Sequence, residues 1–134
     1  MTNSLMALVT DLVTHLDEGT LSAGFSEPLV RGSAKGDVSV IRDAQDPQML
    51  IVVVRLEIMA VPSTDEERFF QTLLTLNHRF HGRASFCIGD HRMVYLTAGR
   101  PVDDLDPGEL IDLILWTSQQ ADHYDDLLQN EFTD

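Results

Sequence analysis

The sequence predicts an α+β domain in which an antiparallel sheet is flanked by helices, in the order α-β-β-(β)-α-β-β-α. Three observations lead there. The run Met49–Ala60 (MLIVVVRLEIMA) alternates with a period of two, so that Leu50, Val52, Val54, Leu56 and Ile58 share one wholly apolar face. Its β-branched content suits a pleated strand, and a strand this apolar belongs at the centre of a sheet. Three other stretches carry apolar residues three and four apart, the helical period. Short alternating runs separated by turn-rich segments supply the neighbouring strands as hairpins. The 134 residues make one domain, 1–134, without internal repeats, low-complexity segments or a domain boundary.

Met1 to Glu18 reads as a helix with the stripe Leu5, Leu8, Val9, Leu12, Val13 and Leu16, capped at its start by Asn3 or Ser4 and closed by Gly19. Thr20 to Gly36, rich in glycine and small polar residues, reads as mostly loop; Phe25, Leu29 and Val30 can form a short strand that Pro28 confines to the sheet edge. Val38 and Val40 alternate with polar neighbours in Asp37–Asp43, a half-buried strand joined to the central one by the turn Asp43–Gln48. Ser63 and Glu66 have the spacing of a capping box for a second helix, with Phe69, Leu73, Leu76 and Phe80 in one row, Phe70 and Leu74 in another, and Gly82 at its close. Ala84–Ile88 and Met93–Ala98 alternate around a turn at Gly89–Arg92, with Val94 and Leu96 inward and Tyr95 on the other face. Asp106-Pro107-Gly108-Glu109 starts a long last helix running to about Phe132, striped by Leu110, Leu113, Ile114, Ala121, Tyr124, Leu128 and Phe132.

The net charge of −13 repels nucleic acid and anionic membrane surfaces, so neither is an expected partner. Charge is also segregated. Ten acidic residues and no Lys or Arg lie between Pro101 and Asp134, whereas all nine basic residues lie between Arg31 and Arg100. A solvated helix face explains the acidic run; a docking face for a basic segment is the sharper reading. A single cysteine, Cys87, excludes an intrachain disulfide and fits the reducing cytoplasm. No signal peptide is visible, and the Met49–Ala60 run is too short to span a bilayer.

Catalytic signatures are missing. There is no nucleophile elbow, P-loop or dinucleotide fingerprint. His78 and His81 could share a helix side but have no companion ligands at zinc spacing, so no metal or cofactor is expected. Cys87 lies mid-strand among apolar neighbours and reads as a buried, inert thiol. The pairs Glu66-Glu67, Asp103-Asp104 and Asp125-Asp126 read as solvated surface or helix-start charge.

The segments Leu73-Leu74-Thr75-Leu76-Asn77, Ala84–Asp90, Val94-Tyr95-Leu96, Pro101–Leu105 and Ala121-Asp122 resemble the YbjN-like family, whose fold is shared with type III secretion chaperones. The likeness spans roughly residues 38–128. It implies a helix–three-strand–helix–two-strand–helix domain, small, acidic, usually dimeric and without cofactor. Chaperones of this fold hold a non-globular client segment on apolar patches; for YbjN-like members regulatory or chaperone-like roles are implied.

Apolar residues off the main core stripes point the same way. Phe70 and Leu74 on the second helix, Ile111 and Leu115 on the last, and Ile51 and Val53 on the central strand are either core covered on both sheet faces, an isologous homodimer face, or a groove for a client peptide. The expectation is thus a non-enzymatic, cytoplasmic, protein-binding homodimer. Its rival is a small-molecule-sensing regulatory domain with a pocket between sheet and last helix, lined by Tyr95, Trp116 and Tyr124.

Overall fold

The computed structural model describes residues 2–132. Helix α1 (Thr2–Glu18) leads into strands β1 (Ser26–Arg31), β2 (Ala34–Arg42) and β3 (Leu50–Ala60). Helix α2 (Glu66–Phe80), strands β4 (Ser85–Ile88) and β5 (Met93–Pro101), and helix α3 (Pro107–Glu131) follow, with single 3₁₀ turns at Asp90–Arg92 and Val102–Asp104. All five strands form one antiparallel sheet in the order β1-β2-β3-β5-β4, so the long apolar strand is central, as its pattern demands. The α+β class with an antiparallel sheet and flanking helices is therefore the observed one.

Register explains which face is core. Val38 and Val54 are partners, as are Val40 and Val52, Leu56 and Leu96, and Phe86 and Leu96. These side chains are buried. All three helices cover this same face: Phe69 and Leu73 of α2, Leu12 of α1, and Leu110, Ile114 and Leu128 of α3 join one core with the strands. Phe69 meets Phe132 edge-on at 5.0 Å, which ties α2 to the end of α3.

Several local expectations need correction. The segment before residue 36 is more ordered than its glycines suggest. β1 is a full edge strand, closed onto β2 by a two-residue turn whose first residue, Gly32, has φ 58°. Gly36 lies within β2, where an added Cβ would fall 1.8 Å from the Arg55 carbonyl oxygen; it is there because β3 approaches too closely for any other residue. Asn3 and Ser4 are within α1 rather than at its cap, since the helix begins at Thr2. Ser63 stands ahead of the N-cap of α2 rather than at it. The residue before α2 is Asp65, in a left-handed conformation with φ 64°. Two acidic side chains pair with arginines here: Asp65 accepts from Arg68 Nε at 2.7 Å, and Glu66 pairs with Arg92. The capping box at α3 forms, Glu109 N–H donating to Asp106 Oδ1 at 2.7 Å and Asp106 N–H to Glu109 Oε1 at 3.1 Å.

Candidate partner-binding surface

With every helix on one face, the opposite face of the sheet is uncovered among the described residues, and its side chains follow from register. On β3 it carries Ile51, Val53, Arg55 and Glu57; on β2, Lys35, Asp37, Ser39 and Ile41; on β5, Tyr95, Thr97, Gly99 and Pro101. The two ends of this face differ chemically. At one end Ile51 sits opposite Ile41 on β2 and Pro101 on β5, and the next outward residue of β3, Val53, sits opposite Gly99. A Cβ placed on Gly99 would lie 3.3 Å from Ile51 Cγ2 and 3.6 Å from Val53 Cγ2, so the glycine leaves the flanks of both side chains open. Ile41 is 47% exposed, and Ile51 and Val53 are half-buried by their strand neighbours alone. The result is an apolar strip across three strands. Toward the other end the face is charged. The Arg55 guanidinium lies 4.5 Å from the Tyr95 ring centroid, Asp37 is its cross-strand neighbour, and Lys35 Nζ approaches Glu57 at 3.9 Å. Such a surface can bury an apolar segment and position polar groups beside it. Among the described residues it holds no nucleophile–base pair.

The six residues singled out for an interface do not form one patch. Ile51 and Val53 belong to the bare face. Phe70 is half-buried, 5.9 Å from Phe69 and packed on the core, while Leu74, one turn on, is 68% exposed. Ile111 and Leu115 are half-buried against the core on α3. The flank where α2 meets β4 adds Ile88, which is also exposed. Ile41, Gly99 and Pro101 complete the strip but escape a reading of the sequence, because only strand pairing brings them beside Ile51. Ile41 alone leaves a trace there, as an apolar residue on the polar side of its strand.

The pocket expected between sheet and last helix does not assemble. Trp116 and Tyr124 pack on the helical side, each about 5.7–5.8 Å edge-on from Phe80, and Tyr124 also meets Phe86. Tyr95 faces the other way, pairing across strands with Cys87 and Glu57. The sheet itself separates it from the other two. Cys87 is a further correction: it is exposed on the bare face of an edge strand rather than buried. Partial desolvation still pushes its thiol pKa up, Arg55 counteracting. His78 and His81 stand 5.9 Å apart between ring centroids, and no group of three potential metal ligands occurs among the described residues. Among those residues no helix is long and apolar enough to cross a membrane.

Asp125 corrects the reading of the acidic pairs. It is 4% exposed, and accepts the Ser33 hydroxyl at 2.6 Å and a side-chain N–H of Gln129. Asp122 accepts the Ser33 backbone N–H at 3.1 Å, so α3 clamps the β1–β2 turn.

No protein-family model matches the sequence, and a comparison with curated proteins gives no match. Among solved structures, the fold is similar to that of a chain in the crystal structure of the ExsC–ExsE complex, at a TM-score of 0.57 and 16% identity, covering 92% of this chain and 95% of that one. The likeness is one of fold alone. Membership of the YbjN-like family does not follow from it.

Proposed function

We propose that this chain is a non-enzymatic binding module, chaperone-like or regulatory, that holds a segment of a partner polypeptide against the bare face of its sheet and acts as a cytoplasmic homodimer. The observation that carries this reading is the strip Ile41–Ile51–Val53, an apolar surface on a sheet face that no helix covers. Burying it releases roughly 25 cal/mol per Å² of apolar area. The similar chain of known structure comes from a complex of two proteins, which supports protein binding over catalysis. With a net charge of −13, a partner segment that is neutral or basic beside its apolar residues is favoured over an acidic one.

Lysine at both Ile51 and Val53 tests the client face. These side chains are half-buried only by neighbours on an open surface, so the double variant should keep its native circular dichroism. A protein that copurifies with the native chain from its own cells should be lost from the variant; retention of the same protein in full refutes the assignment. For the homodimer, the exposed Leu74 and its neighbour Phe70 on α2 are the proposed contact. Leu74→Glu and Phe70→Glu should each give a folded monomer by light scattering, and a Leu74→Glu protein that stays dimeric would remove α2 from the interface.

A further inference from the structure

We propose that the cleft where the end of α2, the end of β5 and the first half of α3 meet binds a small oxyanion, a carboxylate or a phosphate. It lies on the helical side of the sheet, away from the strip, and is independent of the function proposed above. The cleft has a volume of about 220 Å³ and is lined by His81, Arg83, Arg100 and Trp116, with Asp112 beside them. In a chain of net charge −13, two of the eight arginines and a histidine thus converge on one small concavity.

The two guanidiniums are held in place by α3. The chain leaves α2 through His81 in a left-handed conformation, φ 52°, and Gly82, φ 85°, and Arg83 then reaches α3. The Arg83 guanidinium carbon lies 3.9 Å from the Trp116 ring centroid, and Nη2 donates to Asp112 Oδ2 at 2.9 Å. Arg100, at the end of β5, donates from Nη2 to Glu109 Oε2 at 2.9 Å. Glu109 and Asp112 are three residues apart and so on one side of α3. Both ion pairs are about half exposed, at 52% and 65% for Arg83–Asp112 and 43% and 40% for Arg100–Glu109, so each adds little stability by itself. What the pairs accomplish is orientation. A guanidinium presents five N–H donors in a rigid fork suited to carboxylate and phosphate, and one carboxylate partner leaves donors to spare on each. The cleft is smaller than sites for drug-sized molecules, which limits its ligand to a compact anion.

Trp116 is the chain's single tryptophan, so its fluorescence reports on this cleft alone. The full-length protein is titrated separately with inorganic phosphate and with succinate at low ionic strength, against sodium chloride at matched ionic strength. A saturable change with one or both anions, not reproduced by chloride, is expected; which anion saturates identifies the chemistry. Arg100→Gln should weaken binding about tenfold or more, the loss of a charge-assisted hydrogen bond. Arg79→Gln, outside the cleft lining, should leave it unchanged. Arg83→Lys keeps the charge but loses the fork and should also weaken binding, which serves if the Arg100 variant fails to fold. No saturable response to either anion, an equal response to chloride, or native affinity in both cleft variants overturns the proposal.

Discussion

Thr117 and Asp125 lie on the buried side of α3, and the fold treats them in opposite ways. The Asp125 carboxylate is met by Ser33 and Gln129, whereas the Thr117 hydroxyl, fully buried, has no hydrogen-bond partner. An unmet buried hydroxyl costs about 1–3 kcal/mol, while an isosteric apolar replacement is close to neutral or better. Thr117→Val should therefore raise the urea midpoint or leave it unchanged, and Asp125→Ala should lower stability by about 2 kcal/mol. Gly32 is fixed by both conformation and space: φ is 58°, and a Cβ would lie 2.3 Å from Asp122 Oδ1. Gly32→Ala should cost more than about 1 kcal/mol, measured by the same denaturation. None of the three was legible in the sequence. Asp125 looks like its exposed neighbour Asp126, because the partner that buries it, Ser33, lies 92 positions away.

At the scale of elements, the central strand, both hairpins and the long last helix could be read directly, since each has its own period and its own turn or cap residues. β1 could be read only as a fragment. Its order comes from α3, through Asp122 and Asp125 on its turn and Arg31 Nη1 donating to the Leu115 carbonyl at 2.8 Å, and such support leaves no local periodicity. The start of α2 falls two residues later than the sequence suggests, at Asp65 instead of Ser63, and there Asp65 and Glu66 pair with Arg68 and Arg92. α3 keeps its box, and Glu109 acts in it with its pKa lowered by the Asp106 backbone N–H and then by Arg100. A carboxylate whose folded pKa is lowered stabilises the fold above its unfolded pKa, and that stabilisation is lost as pH falls through the folded value. Backbone hydrogen exchange at the first turn of α3 should thus lose protection on acidification below the ordinary carboxylate range, and Glu109→Gln should flatten that dependence. At the other edge of the sheet, Asn77 of α2 occupies the free side of β4, donating to the Phe86 carbonyl at 3.2 Å and accepting its N–H at 2.6 Å. An open edge is a template for pairing with another chain. Asn77→Ala should therefore destabilise by about 1–2 kcal/mol and increase self-association in sedimentation.

For the molecule as a whole, the apolar residues off the core stripes fall in separate places: Leu74 is exposed on α2, Phe70, Ile111 and Leu115 pack on the core, and Ile51 and Val53 lie on the uncovered sheet face. The sequence singles out residues off the core stripes but cannot say on which side of the sheet they fall. Ile51 and Val53 gain meaning only from Ile41 and Pro101 across the strands, and the Tyr95–Trp116–Tyr124 pocket fails for the same reason, because the sheet lies between its members. The two sides of the slab now carry separate proposals, the polypeptide on the bare side and the oxyanion on the helical side. They predict independent behaviour: lysine at Ile51 and Val53 should leave the Trp116 response to anions unaltered, by the same fluorescence titration.

Cys87 is the chain's single thiol, and it projects from the edge of the uncovered layer beside Tyr95. A maleimide dye or spin probe would therefore attach at one defined spot, on the side where a polypeptide would land and away from the helices that hold the molecule together. The protein comes with its own reporter position, and an arriving guest could be timed without engineering a new one.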